Sequence, residues 1–126
     1  MEIIDFSVGT DIDAISRFEK YSKNSSDSFL QRIYTQNEIN YCFGYKNPEQ
    51  HLAARFSAKE AVYKALSSMG INDIHYSDIE ILNDDNGVPF VNLTVKKYDN
   101  LIFRLSLSHG NGNSLASVVI MKVNKV

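Results

Sequence analysis

The chain has 126 residues, 44% of them hydrophobic and 22% charged, with a formal net charge of −2. A chain of this length buries a real core in one α+β-sized unit, so a single domain over residues 1–126 is expected. The slight acidity gives no support to nucleic-acid binding, which normally shows a strongly basic face, and no apolar run approaches the ~20 residues that span a bilayer. The single Cys42 excludes an internal disulfide framework and suits a reducing compartment. The first residues, Met1–Ile4, hold an acid and Asp5 breaks the apolar run, so no signal peptide is read and a cytoplasmic protein is expected.

In chain order, Ile4, Phe6 and Val8 alternate with Asp5 and Ser7, the period of a half-buried strand, which is expected to stop at Gly9-Thr10. Asp11-Ile-Asp13 then leads into an expected helix carrying Ile15, Phe18 and Tyr21, with Asp11 or Asp13 as its cap. Arg17, Lys20 and Lys23 lie three apart there, a short basic ridge that is either a solvated face or a dock for an acidic partner. Lys23–Ser28 reads as a loop, and Phe29–Ile33 as a helical turn. Thr35-Gln-Asn-Glu38 fits a capping box for a helix through Phe43, ended by Gly44. Pro48 suits the first turn of the next helix.

That helix, around His51–Leu66, is rich in alanine, leucine, lysine and glutamate and is uninterrupted before Gly70. Ala54, Ala58, Ala61, Val62, Ala65 and Met69 form one apolar stripe, and Leu52, Phe56 and Tyr63 a second, on which Glu60 falls. Glu60 has two readings. One is an i,i+4 pair with Lys64, worth about 0.2–0.5 kcal/mol; the other is a ligand for a metal ion, which would offset its burial. After Gly70 the period changes to two: Ile79 and Ile81, the Asn86-Gly87 hairpin signal, Val91 to Val95, Phe103 to Leu107, and a last strand over Leu115–Val123. Strand, helices and then antiparallel strands make an α+β domain, with one long core helix packed on an antiparallel sheet.

Three ionisable places stand out: Asp11 after the first strand, Lys59-Glu60 with Lys64 on the long helix, and His109 at a strand end. Two carboxylates suit a hard cation such as magnesium, which takes its other ligands from water and phosphate. Lys64 can neutralise a phosphate oxygen as a point charge. His109, beside Gly110 and Gly112, sits where backbone approaches a ligand closely. No phosphate-binding Gly-x-x-x-x-Gly-Lys loop, Gly-x-Gly-x-x-Gly loop, His-Glu-x-x-His or Cys-x-x-Cys is present.

Gly9-Thr-Asp11-Ile12, Arg55-Phe-Ser-Ala-Lys-Glu-Ala61 and Ser106-Leu-Ser-His109-Gly, in this order and spacing, resemble the small bacterial holo-[acyl-carrier-protein] synthases, a family of 4'-phosphopantetheinyl transferases. The resemblance runs from Val8 to about Ile120. It implies the transferase fold and transfer of the 4'-phosphopantetheine arm of coenzyme A to a serine of apo acyl carrier protein, releasing adenosine 3',5'-bisphosphate, in fatty acid biosynthesis. It further implies magnesium held by Asp11 and Glu60, catalysis by Asp11, Glu60 and Lys64, and coenzyme contacts from Lys59, Lys64, His109 and Gly110. Arg17, with Lys20 as helper, is implied as the carrier dock, and a homotrimer with sites between subunits as the assembly. Ser25–Ser28 and Asn47-Pro48 lack basic residues that the family often has there; Lys46 is the remaining candidate for the coenzyme's 3'-phosphate.

Overall fold

The computed structural model describes residues 1–23 and 27–125. Strand β1 spans Ile3–Ala14 and passes into a 3-10 turn at Ile15–Phe18. Three helices follow, α1 over Ser28–Ile33, α2 over Gln36–Cys42 and α3 over Pro48–Ser68. After a 3-10 turn at Tyr76–Asp78 come β2 (Ile79–Asn83), β3 (Pro89–Leu93), β4 (Leu101–Gly110) and β5 (Asn113–Val123). The chain is α+β, with α3 laid across an antiparallel sheet ordered β1-β5-β4.

Local chemistry accounts for most of these boundaries. The Thr35–Glu38 capping box is formed in both directions, and Asp27 caps α1 by accepting from the Phe29 amide. Pro48 opens α3, where its missing amide hydrogen is no loss. The β4–β5 connection turns on Asn111 and Gly112, both with positive φ, 52° and 76°.

Three expectations are corrected. First, β1 does not stop at Gly9-Thr10, and no helix begins at Asp11. Both acids are strand residues, paired with Ala116 and Ser114 of β5, and neither is a helix cap. The strand ladder offers each residue of this stretch a backbone partner, which outweighs the local capping preference. The basic ridge therefore lies on a 3-10 turn and its exit, not on a helix face. Second, the strands after Gly70 form two sheets. β2 and β3 pair only with each other, while β4 joins β5 and β1. Third, of the loop expected at Lys23–Ser28, residues 24–26 lie outside the described residues and Ser28 already belongs to α1.

The facing of β1 is also opposite to what its apolar residues suggest. Phe6, Val8 and Ile12 are 67%, 58% and 63% exposed, whereas Ser7 and Gly9 are buried against α3. The reason is close approach. A Cβ at Gly9 would lie 1.9 Å from the Ala61 carbonyl oxygen, and the Ser7 hydroxyl donates to the Ala65 carbonyl at 2.8 Å. Only small residues fit beneath the helix, so the row Ser7, Gly9, Asp11, Asp13 faces α3 and the bulky residues face out.

The core has two parts. Ala58, Ala61, Val62, Ala65 and Leu66 of α3 pack on Ala116, Val118 and Ile120 of β5 and on Ile79 and Ile81 of β2. Toward its start, α3 packs Leu52, Ala53 and Phe56 on Phe18, Leu30, Ile33, Tyr34, Ile39 and Cys42. Most of both apolar stripes read in the sequence is thus buried, with Ala54, Tyr63 and Met69 partly so, and α3 is covered on most of its circumference.

Candidate active site

The inward row of β1 carries Asp11 to the side of α3 that holds Glu60 and Lys64. Lys64 Nζ donates to Asp11 Oδ1 at 2.9 Å and to the Thr10 carbonyl at 3.1 Å. The hydrogen bond to Asp11, with Glu60 adding, holds the Lys64 ammonium above its usual pKa. The i,i+4 pair of Glu60 with Lys64 is not formed; Glu60 Oε1 instead accepts from the Tyr76 hydroxyl at 3.1 Å. Burial and the nearby Glu60 charge push the Tyr76 phenol up to about 12, so it remains a donor at neutral pH.

Asp11 Oδ2 is buried and has no hydrogen-bond partner. A carboxylate oxygen left in that state carries a desolvation cost of about 1–3 kcal/mol or more, which a cation would remove. Asp13 adds a neighbouring acid. Its Oδ1 accepts from Arg17 at 3.1 Å and its Oδ2 from Ser57 at 2.9 Å, while Ser114 donates on to Ser57 at 3.0 Å. Burial first, and then Asp11 beside it, push Asp13 up from 3.8 to about 6.

A magnesium ion fits these residues. The orphaned Asp11 oxygen and the Glu60 carboxylate are hard oxygen donors, and both carboxylates act on Tyr76 and on Lys64, which places them in one neighbourhood. Among the described residues no group of three or more His, Cys, Asp and Glu side chains forms a closed cage. Two carboxylates with open positions are what a magnesium shared with phosphate uses.

His109 lies farther along the sheet. The register pairs Asp13 with Ser114 and Ser114 with His109, so His109 is in the row of Asp13, two strands or about 10 Å from it. It lines a cavity of about 420 Å³ with Gln50, His51, Arg55, Tyr41 and Asn83. His109 Nε2 and Gln50 Nε2 are 3.2 Å apart. Gly110 is exposed with open space at its Cβ position, beside a second hollow that His109 also lines.

Arg55 is the cationic residue of this cavity that the sequence reading left inside a motif. It is only 3% exposed, its guanidinium lies 3.9 Å from the Tyr41 ring centroid, and it donates to Asn83. Its Nε is buried without a partner, and no carboxylate pairs with it among the described residues. A guanidinium at the wall of an open cavity, with no carboxylate to neutralise it, is suited to an anionic oxygen. The signal available in the sequence was a second charge at i−4 from Lys59 on a helix otherwise apolar on that side.

Lys59 is corrected in position. It is fully buried, and its ammonium is bound to Glu38 at 2.8 Å and to the carbonyls of Tyr76, at 3.0 Å, and Ile79. An ammonium has three protons, and all three are used, so Lys59 contacts no cavity. Burial pulls its pKa below the usual value, against the pull of Glu38. Lys46 is exposed in the α2–α3 connection and is not part of the cavity wall. Arg17 is half exposed, with its guanidinium 4.8 Å from the Phe56 ring centroid while bound to Asp13; Lys20 is exposed over Tyr21. No helix among the described residues is long and apolar enough to cross a membrane.

The family model for the 4'-phosphopantetheinyl transferase superfamily matches residues 7–119. A holo-[acyl-carrier-protein] synthase of Geobacter sp. (strain M21) is 40% identical over 124 residues, covering 91% of this chain and 97% of that one. One of Clostridium botulinum (strain Eklund 17B / Type B) is 41% identical over 118 residues, covering 90% and 94%. Among solved structures, the holo-(acyl-carrier-protein) synthase of Bacillus anthracis in complex with CoA (3',5'-ADP) aligns with a TM-score of 0.75 and 34% identity over 93% of this chain and 96% of that one. The Helicobacter pylori enzyme in complex with coenzyme A gives a TM-score of 0.73 and 32% identity over 90% and 98%. The chain belongs to the 4'-phosphopantetheinyl transferase superfamily and, within it, to the holo-[acyl-carrier-protein] synthases.

Proposed function

We propose that this chain transfers the 4'-phosphopantetheine arm of coenzyme A to a serine hydroxyl of apo acyl carrier protein, with magnesium, releasing adenosine 3',5'-bisphosphate, and that it serves fatty acid biosynthesis in the cytoplasm as one domain over residues 1–126. The observation that carries this reading is the buried, unpartnered Asp11 Oδ2 beside Glu60 and Lys64.

In the reaction the serine oxygen forms a bond to the phosphorus that bears the pantetheine, and the pyrophosphate P–O bond to the nucleotide breaks. Asp11 and Glu60 would hold magnesium, which when bound draws charge from the pyrophosphate oxygens. Lys64, whose side chain is more than half exposed, neutralises a phosphate oxygen as charge builds on the leaving group. Glu60 receives the serine's proton, directly or through a water it orients. The Arg55–His109 cavity takes the nucleotide end of the coenzyme, with the Arg55 guanidinium at its wall neutralising a phosphate and Tyr41 and His51 supplying ring surface. Arg17, with Lys20, meets the acidic carrier a short distance from Asp13 and Asp11.

The apolar outer face of β1 supports a homotrimer. Phe6, Val8 and Ile12 with Leu115 and Val119 of β5 form an exposed apolar surface, which favours burial against copies of the chain. Sites built between subunits follow from the nearness of this face to His109 and Gly110.

The test is incubation with coenzyme A, magnesium and a panel of apo carrier proteins, read by mass spectrometry. A gain of one phosphopantetheine on a carrier is expected; coenzyme A binding with no gain on any carrier would overturn the reading.

A further inference from the structure

Tyr76 is fixed in three independent ways. Its carbonyl accepts from the buried Lys59 ammonium at 3.0 Å, and that ammonium is itself anchored by Glu38. Its ring stacks on Tyr63, with centroids 5.0 Å apart and planes at 26°, and on Phe56 at 6.4 Å and 26°. Its hydroxyl donates to Glu60 Oε1 at 3.1 Å. Phe56 and Tyr63 sit one turn before and one turn after Glu60 on α3, so the tyrosine ring bridges the helix face from which Glu60 projects. The 3-10 turn that carries Tyr76 is tied further at Asp78, whose carboxylate accepts from the His75 amide and whose carbonyl accepts from the Thr94 amide.

Glu60 has no other hydrogen bond and no ion pair among the described residues. Without Tyr76 the carboxylate would be free to turn about three side-chain torsions, and ordering such a side chain on binding costs conformational entropy. A donor on Oε1 fixes the carboxylate plane and leaves Oε2 available.

We infer that Tyr76 is a positioning residue that holds the Glu60 carboxylate ready for its cation, and that the buried Glu38–Lys59 pair acts through Tyr76 to do so. The inference rests on the reading of Glu60 as a magnesium ligand. It gives Lys59 a role in the site that is indirect: its ammonium fixes the turn, the turn fixes the ring, and the hydroxyl fixes the carboxylate.

The experiment compares wild type, Tyr76→Phe and Glu60→Gln for binding of Mn2+ in the presence of coenzyme A, followed by electron paramagnetic resonance, together with kcat and KM. Tyr76→Phe keeps the stacked ring and removes only the hydroxyl. It is expected to weaken Mn2+ binding by about tenfold, to lose rate at low magnesium and recover it at high magnesium, and to leave KM for coenzyme A unchanged. Unchanged Mn2+ affinity in Tyr76→Phe, with binding lost in Glu60→Gln, would overturn the role of Tyr76 alone. Unchanged affinity in both variants would overturn the metal site as well. A fall in rate that high magnesium does not restore would also count against positioning of the cation.

Discussion

Lys64 gives its ammonium to Asp11, 2.9 Å away on a strand distant in sequence, and not to Glu60, one turn earlier on its own helix. That choice leaves Glu60 without an ion pair, while burial first, and then Asp11 beside it, push Asp13 up to about 6. Asp11, Asp13 and Glu60 here face only Lys64 and Arg17, a surplus of negative charge that the proposed cation would offset. Asp11→Asn keeps the shape and removes one charge. The transfer rate should fall by about 100-fold or more, while Tm stays level or rises by ~1–3 °C. Steady-state transfer and thermal denaturation on the same samples check both halves. A variant that lost stability and kept activity would make Asp11 structural.

The outward-facing row of β1 leads to a second expectation. Phe6 is two-thirds exposed and sits among other apolar residues of β1 and β5. Wild type should sediment as a trimer, and Phe6→Glu should sediment as a monomer, because a carboxylate in an apolar interface has no partner to offset its burial. Analytical ultracentrifugation reads this directly, and a monomeric wild type would remove the subunit-interface sites from the reading.

Much of the fold was legible because hydrophobic period and capping chemistry are local. The Thr35–Glu38 box, Pro48 at the start of α3, the Asn86-Gly87 turn and the buried stripes of α3 all stand where the sequence places them. Lys64 meets Asp11 across the fold, while Glu60, on the same helix, turns to Tyr76. What failed was facing and partnership. Phe6 and Val8 alternate correctly, yet the rule of apolar side inward inverts, because Gly9 brings β1 so near Ala61 that only small side chains fit between. Lys59 looked like a ligand residue because it stands beside Glu60 in the motif. Its true partner, Glu38, is 21 positions earlier in the chain and cannot be paired with it from sequence spacing. Arg55 and Tyr76 were missed for the same reason: their meaning depends on a cavity and on a hydrogen bond between distant segments.

The Glu38–Lys59 pair has a distinctive energetic signature. Both side chains are fully buried, and Glu38 also accepts from the amides of Thr35, at 2.8 Å, and Ile81, at 2.9 Å. Lys59→Met leaves the carboxylate without its cation and should cost about 3–5 kcal/mol. Lys59→Met combined with Glu38→Gln should recover part of that loss. Urea denaturation of the single and double variants measures the coupling; equal losses in the single and the double variant would mean that the pair contributes nothing beyond packing.

Gly9 tests the close approach that orders the site. Its φ is unremarkable, so the demand on this position is space alone: an added Cβ would lie 1.9 Å from the Ala61 oxygen and 2.9 Å from the Ala61 carbon, both backbone atoms of α3. Gly9→Ala must push β1 away from the helix, and with it Asp11 away from Glu60. A loss of about 3 kcal/mol or more is expected, accompanied by a loss of transfer activity larger than the unfolded fraction explains. Chemical denaturation together with activity measured where the variant is still folded distinguishes the two effects.

Cys42 predicts how stability changes in alkali. It lies in the helical part of the core, and burial pushes its thiol up from 9.0 to about 12, with Glu38 adding and Arg55 and Lys59 opposing. Because the folded pKa is the higher one, the folded chain keeps a proton between pH 9 and 12 that the unfolded chain releases. The thiol's contribution is therefore complete below pH 9 and is lost as pH rises toward 12, amounting to about 1 kcal/mol by pH 10. Tyr34, raised mainly by burial, acts in the same direction at higher pH. Urea melts at pH 8, 9 and 10 should show wild type losing stability more steeply than Cys42→Ala, which cannot ionise there. At pH 8 the native thiol should resist iodoacetamide and react once the chain is unfolded. Rapid alkylation of the native protein, or equal slopes for the two chains, would contradict the buried, protonated thiol.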